Sequence, residues 1–493
     1  MPSNADHPTR AYRAAAFLFV SLLSLPILLA AQAPPAAGHW EGAIQLPGHD
    51  LLVKIDLANA DGAWKGTIDI PEQNAKALPL EKIAVEGDHV QLTISGVPGS
   101  PTFDGKLEDG KIAGTFTQGA ASLPFHLGRD AVQAARRPQD PVPPFPYQEE
   151  EVAYQNGDVH LAGTLTLPPG PGPFPAVVLI TGSGAQNRNE ELLGHRPFLV
   201  LADHLSRNGI AVLRVDDRGV GGSTGSVSGS TSSDFAGDTL AGVAFLKQHA
   251  HIAGDRIGLI GHSEGGLIAP LAASRSKDVA FIVMLAGTGV SGYEILPAQV
   301  EAIDKASGQP ADRARRDADL NRSAMDLVRA EKDGAVLRTK LKKLFEEHSD
   351  AIDAADLKSA GGLDAYVDQQ AKTLSSPWFR YFVDYDPRIA LRQVKVPVLA
   401  LNGELDRQVL PDQNLPAIEQ ALREGKNPDV TVRRMPGLNH LFQTTTTGSP
   451  TEYASIQETL SPAVLDLVTH WILERFGKPA PGTPLALPSS TGH

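Results

Sequence analysis

Arg256-Ile257-Gly258-Leu259-Ile260-Gly261-His262-Ser263-Glu264-Gly265-Gly266-Leu267-Ile268-Ala269-Pro270-Leu271-Ala272-Ala273 runs an apolar, strand-like segment into a helix-like one. The junction, Gly261 to Gly265, has the G-x-S-x-G pattern of a nucleophile elbow in the strand-turn-helix setting such a turn requires. Glycines at 261 and 265 let strand and helix approach, and Ser263 is pushed up above the sheet edge. A serine held there is a candidate nucleophile. The same pattern also arises by chance in a glycine-rich chain, so its partners decide the reading.

A serine hydroxyl is a weak nucleophile at neutral pH and needs a base, with a carboxylate to orient that base. Two downstream segments supply them. Val396 to Leu401 predicts a buried strand running into Asn402-Gly403-Glu404-Leu405-Asp406, a loop with two acids. Pro436-Gly437-Leu438-Asn439-His440-Leu441-Phe442 follows another predicted strand and carries one of the chain's fifteen histidines. His440 is therefore the candidate base. Its orienting acid is Glu404 or Asp406.

Developing negative charge on an attacked carbonyl needs backbone N–H donors fixed in advance. One is the N–H of Glu264, set by the elbow, whose side chain is expected to play no part. The second is expected in the loop after the first parallel strand, Thr181-Gly182-Ser183-Gly184-Ala185-Gln186, at Ser183 ahead of Gly184. The Gly-rich run Asp216 to Ser223 lacks the P-loop lysine and does not fit G-x-G-x-x-G, which argues against phosphate binding.

Around these motifs the period of the sequence changes twice. From Gly38 to Gly128 apolar residues alternate, as in Val53-Lys54-Ile55-Asp56-Leu57 and Val90-Gln91-Leu92-Thr93-Ile94, with turn signals at Asp61-Gly62, Glu86-Gly87-Asp88 and Glu108-Asp109-Gly110. This predicts an antiparallel β domain, a meander or small barrel, over residues 34–128. A Pro-rich stretch, Arg137 to Pro146, marks a stiff linker over 129–147. A hairpin follows at Asn156-Gly157. Beyond it, short apolar strands (Ala176–Ile180, Ile210–Val215, Ile257–Ile260, Phe281–Leu285, Val396–Leu401, Val430–Met435) alternate with helical stretches (Pro197–Arg207, Asp234–His249, Gly265–Ser274, Asp412–Glu424, Ala463–Phe476). That is an α/β pattern, a mostly parallel sheet with helices on both faces, spanning 148–477. Active-site loops of such sheets lie beyond the carboxyl ends of the strands, where Ser263 falls.

The alternation is broken from about 288 to 390 by a charged, helix-prone insertion, with amphipathic helices at Asp312–Leu344 and Ala354–Thr373. It reads as a helical lid over the serine. The cluster Trp378, Phe379, Tyr381, Phe382 and Tyr385 either lines an acyl pocket or pins the insertion to the core.

Composition sets outer limits. The 493 residues are 42% apolar and 20% charged, enough for two or three folded units, and the net charge of −13 argues against nucleic acid and anionic membranes as partners. With no cysteine, disulfides, thiolate metal sites and a thiol nucleophile are excluded. At the N-terminus, Arg10 and Arg13 precede an apolar run from Ala14 to Leu29 and then Ala30, Ala31 and Ala33. This is the outline of a signal peptide over 1–33, cleaved after Ala31 or Ala33, which implies an exported, periplasmic or secreted protein with no stable membrane insertion after cleavage. An uncleaved anchor is the competing reading, but Ser21, Ser24 and Pro26 shorten the run below the ~20 residues a spanning helix needs. Residues 478–493 read as a flexible tail.

The chain resembles the α/β-hydrolase superfamily, and within it the bacterial serine esterases and hydrolases that join an N-terminal β domain to a catalytic domain with a helical insertion. The matching residues are Thr181-Gly182-Ser183-Gly184-Ala185-Gln186-Asn187-Arg188-Asn189-Glu190, Asp217-Arg218-Gly219, the elbow, Ser376-Pro377-Trp378-Phe379-Arg380, Asn402-Gly403-Glu404-Leu405-Asp406 and Gly437-Leu438-Asn439-His440. The resemblance covers most of residues 38 to 477. It implies a triad in the chain order Ser263, Asp406, His440, hydrolysis of small-molecule carboxylic esters through an acyl-enzyme, and no metal or organic cofactor. Aminopeptidase-like activity, also ascribed to relatives, is the alternative; a non-catalytic carbohydrate- or lipid-binding protein on the same scaffold is less consistent with a complete triad. Asn187 and Asn189 depart from the pattern, standing where aspartates are expected and weakening any role for this loop in gripping a substrate amine.

Overall fold

The computed structural model describes residues 36–477, apart from 47, 61, 74, 98, 120, 131–135 and the side chains of 355 and 359. The expected signal peptide (1–33) and tail (478–493) lie outside the described residues.

Eight strands make the first sheet: β1 (Gly38–Leu46), β2 (His49–Ala60), β3 (Ala63–Ile70), β4 (Ala75–Glu86), β5 (His89–Ile94), β6 (Thr102–Glu108), β7 (Lys111–Gln118) and β8 (Ala121–Gly128). Each pairs antiparallel with the next, and β8 returns to β1, closing the barrel. Closure removes both sheet edges. The alternation read from the sequence points inward to Trp40, Ile55, Ile68, Leu92, Phe103 and Ile112, all fully buried. Glu108 pairs with Lys111 across Asp109 and Gly110, both at positive φ (48° and 74°), the two-residue turn that matches strand twist.

The second sheet holds β9 (Gln148–Asn156), β10 (Val159–Leu167), β11 (Phe174–Ile180), β12 (Ala211–Val215), β13 (Ile252–His262), β14 (Phe281–Leu285), β15 (Val398–Gly403) and β16 (Val430–Met435). Its order is β16-β15-β14-β13-β11-β12-β10-β9, parallel from β16 to β12 and antiparallel at β10 and β9. The hairpin turn falls one residue later than expected: Asn156 pairs with Val159, leaving Gly157 and Asp158 as the turn.

Before the interruption, the helices are α1 (Pro197–Arg207), α2 (Ser232–Lys247) and α3 (Gly265–Ala273). Between β14 and β15 the insertion supplies α4 (Gly292–Ala306), α5 (Ala311–Ala330), α6 (Gly334–Glu347), α7 (Ala354–Ala360), α8 (Leu363–Leu374) and α9 (Pro377–Asp384). The chain then forms α10 (Arg388–Leu391), α11 (Pro411–Glu424) and α12 (Pro462–Phe476). Along β11 alternate residues face two cores, Ala176, Val178 and Ile180 toward α2, α3 and α11, and Val177 and Leu179 toward α1 and α12. Two differences from the sequence reading arise in the insertion. The expected single helix over Ala354–Thr373 is broken at Gly361 and Gly362, both at positive φ (90° and 110°), and α4, which contains Pro297, was not anticipated.

Two residues of the linker are docked on the catalytic domain. The buried Arg137 guanidinium donates to the carbonyls of Leu193, Ala454 and Ile456, and the Gln139 amide bridges the backbone of Thr459 and Leu460.

Candidate active site

β13 ends at His262 and α3 begins at Gly265, so the turn consists of Ser263 and Glu264. Ser263 sits at φ 54°, in the left-handed region, with its N–H donating to the Leu285 carbonyl at 2.8 Å. A Cβ on Gly261 would stand 2.0 Å from the Gly265 carbonyl oxygen, and one on Gly265 would stand 2.1 Å from that of Ile180. Close approach therefore dictates both flanking glycines, as the motif implied.

Asp406, in the loop after β15, is fully buried (0% exposed). Its Oδ1 accepts the N–H groups of Gln408 (2.8 Å) and Val409 (2.9 Å), and its Oδ2 lies 2.8 Å from His440 Nδ1. This arrangement fixes Nδ1 as the donor and leaves Nε2 for the reaction side. The loop carrying His440 is held from within, since Asn439 Oδ1 accepts from the N–H groups of Leu441 and Gln443. Glu404 is exposed and accepts the Gly437 N–H at 3.0 Å. Of the two acids in the loop, Asp406 is the one that reaches the imidazole.

The elbow is tied to His440 through its neighbour. His262 Nε2 donates to the His440 carbonyl (3.1 Å), and His262 Nδ1 lies 2.9 Å from Glu190 Oε1, which also accepts the Gly182 N–H at 2.7 Å. The rings of His262 and His440 are 4.9 Å apart. Burial disfavours the charged imidazole of His262, but the Glu190 carboxylate and the His440 carbonyl outweigh it and hold its pKa above the ordinary value. One buried pair thus joins the loop that holds Ser183 to the loop that holds His440. Glu190 was quoted in the sequence only as part of a motif; its positive φ of 52° and its 72-residue reach to His262 have no local signature.

Ser263 is half-buried and opens on a cavity of ≈ 160 Å³ that Ser183 and Glu264 also line. The remaining wall is mostly apolar: Ile295 and Leu296 from α4, and Trp378, Phe379 and Phe382 from α9. The aromatic cluster therefore divides. Three of its members line the cavity, while Tyr381 and Tyr385 stack on each other at 5.1 Å outside it. The expectation that only the backbone of Glu264 matters needs correction. Its buried carboxyl accepts the Ser232 hydroxyl at 2.6 Å and the Trp378 indole N–H at 3.0 Å to both oxygens, because the start of α2 and the start of α9 converge on the elbow. Burial raises its pKa.

Behind the Ser183 loop, Asp217 accepts the Thr181 hydroxyl (2.7 Å) and the Gln186 N–H (2.9 Å). Desolvation outweighs those bonds and pushes its pKa up to about 8. The folded state then keeps this proton up to about pH 8, whereas the unfolded chain releases it near 3.8, so stability falls as pH rises across that window. Asparagine mimics the neutral acid, offering a donor to Thr181 Oγ and an acceptor to the Gln186 N–H. Asp217→Asn should gain on the wild type by up to about 1.4 kcal/mol per pH unit between pH 5 and 8, read by denaturant unfolding. Parallel profiles for the two proteins would contradict it.

The substituted positions of the same loop are also occupied. Asn187 Oδ1 accepts the N–H of Asn189 at 3.0 Å, and Asn189 Oδ1 accepts from the buried Arg214 guanidinium. Both amides hold the loop together.

The model of the Alpha/beta hydrolase family matches residues 177–456, more than half of the chain. Esterase EstD of Thermotoga maritima is 31% identical over 193 residues, a stretch covering 39% of this chain and 42% of EstD. The chain thus spans less than half the length of that relative. Among solved structures, an esterase of Pyrococcus furiosus is 17% identical with a TM-score of 0.38, covering 68% of this chain and 92% of its own. DcsB, solved in complex with a substrate analogue, is 20% identical with a TM-score of 0.40, covering 67% of this chain and 100% of its own. With the elbow, the parallel sheet and the Asp406–His440 pair beyond its strand ends, the match over residues 177–456 makes this chain a member of the alpha/beta hydrolase family.

Proposed function

We propose that the protein is an exported serine carboxylesterase acting through Ser263, His440 and Asp406. The observation that carries the reading is the buried Asp406–His440 bond at 2.8 Å, in a loop tied to the residue that precedes an elbow serine. Ser263 Oγ attacks the ester carbonyl, and His440 Nε2 takes its proton and later returns it to the leaving alkoxide. Asp406 keeps Nδ1 protonated and stabilises the imidazolium. The N–H groups of Ser183 and Glu264 receive the negative charge that develops on the carbonyl oxygen. Water activated by His440 then releases the acyl group. Helices α4 and α9 serve as the lid, and residues 1–33 direct export.

The cavity wall favours esters over aminoacyl amides. The residues that the insertion contributes to it are apolar or, at Thr288 and Gln299, neutral, and the Glu264 carboxyl already holds Ser232 and Trp378. Among the described residues, no carboxylate of the insertion lines the cavity to receive a substrate amine. Esters of nitrophenol should show higher kcat/KM than aminoacyl arylamides in a parallel panel. Arylamides ahead by about tenfold or more would replace this reading with a peptidase.

A further inference from the structure

His262 ends β13 immediately before Ser263, and both nitrogens of its buried ring face oxygen atoms. Nε2 lies 3.1 Å from the main-chain carbonyl oxygen of His440, which can only accept, so Nε2 carries a proton. Nδ1 lies 2.9 Å from Glu190 Oε1. The proton between that pair has two possible homes, and each neighbouring bond favours the imidazole. The Gly182 N–H, 2.7 Å from the same Oε1, stabilises a carboxylate, and the His440 carbonyl stabilises an imidazolium. Imidazole is also the stronger base of the two. The geometry therefore gives His262 a proton on each nitrogen and a full positive charge, paired with a buried Glu190 carboxylate.

This pair spans the two loops that serve Ser263. On one side Glu190 fixes Gly182, the neighbour of the candidate N–H donor Ser183, and it does so from a left-handed backbone (φ 52°) that a non-glycine residue seldom adopts. On the other side His262 fixes the main chain of His440, whose ring meets Asp406. Among the described residues, the charged or titratable groups acting on His262 are Glu190, His440 and Asp406, from the loops after β11, β16 and β15. Phe198, Leu285, Leu441 and Phe442 share a cleft wall with it and are apolar. Burial works against the charge, but the Glu190 carboxylate and the His440 carbonyl outweigh it. A neutral ring has one donor for two acceptors. Losing the proton thus turns a lone pair against an oxygen and releases one of the two loops.

We propose that His262 is a buried imidazolium which, with Glu190, positions both the Ser183 loop and His440, and that loss of its proton sets the alkaline limit of turnover. The positioning role rests on the ester-hydrolase reading; the charge does not. Proton–nitrogen correlation spectra of protein carrying nitrogen-labelled histidine should show, at neutral pH, an imidazole with both nitrogens protonated that is missing from the double variant Glu190→Gln/His262→Gln. A His262 signal with one protonated nitrogen overturns the proposal. Turnover of nitrophenyl acetate tests the role. Wild-type kcat should hold from neutral pH upward and then fall, because the pair is intact below the pKa of His262 and lost above it. Glu190→Gln keeps the acceptor and removes the charge that favours the imidazolium, so the fall should begin about 1–3 pH units lower. KM should stay within about threefold, since the pair touches no substrate. The double variant leaves no buried charge unpaired and nothing to titrate; it should lose about tenfold in kcat at neutral pH and decline no further above it. Near-UV circular dichroism of both variants checks that the fold is retained. A Glu190→Gln profile that follows the wild type throughout overturns the positioning role and leaves the esterase reading standing. Wild type unable to cleave any nitrophenyl ester overturns that reading and the positioning role with it, while the spectra still decide the charge.

Discussion

Ser263→Ala should lose turnover on nitrophenyl esters on the order of 10⁶-fold in kcat while keeping its fold. The structural grounds for the second half are specific. What holds residue 263 in place is its backbone: the N–H bond to Leu285, the left-handed φ of 54°, and the glycine contacts on either side. Alanine bears the same strain as serine at this φ and keeps every one of these backbone bonds. The side chain is half-buried beneath α9 rather than open to solvent as the motif alone suggested, but the atom removed is a single hydroxyl facing a cavity. The midpoint of thermal unfolding should therefore move by no more than about 2–4 °C, the shift about 1 kcal/mol produces in a large domain. Fluorophosphonate should label the wild type stoichiometrically and leave the variant unlabelled. A variant that kept one-tenth of wild-type activity would remove Ser263 from the mechanism.

The residues of the expected triad were legible because each stands where a strand gives way to a loop, and apolar runs such as Val398–Leu401 and β13 announce their ends. The barrel was legible for a similar reason, a period of two with turn residues between the runs. Closure of β8 on β1 was less so, since nothing in the Ile44–Phe125 pairing differs locally from any other antiparallel contact. Least visible were groups whose partners lie far off in sequence. Glu190 meets His262, Glu264 meets Trp378, and Arg137 meets Ala454, over 72, 114 and 317 residues respectively. Such contacts exist only once the sheet has brought its carboxyl ends together, and no propensity or spacing foretells them.

Asp406→Asn should lower kcat by roughly 10⁴, whereas Glu404→Gln should change it by less than about tenfold. The two acids stand two residues apart, and in an extended strand they would share a face. The strand stops at Gly403, and the turn that follows separates them. Asp406 goes inward, where Oδ2 meets His440 Nδ1 while Oδ1 is fixed by the N–H groups of Gln408 and Val409. Glu404 stays exposed, and its carboxylate accepts the Gly437 N–H at the far end of the His440 loop. In Asp406→Asn the two N–H groups demand the amide oxygen, so the amide NH₂ faces Nδ1. The imidazole must then turn Nδ1 into an acceptor and carry its proton on Nε2, the nitrogen that has to receive the Ser263 proton. The shape of the site survives and its tautomer does not, so the loss falls on kcat with little change in stability. Glu404→Gln keeps an acceptor for Gly437 and leaves the imidazole untouched. Saturating ester turnover by both variants decides between the acids, and the reverse ranking would transfer the orienting role to Glu404.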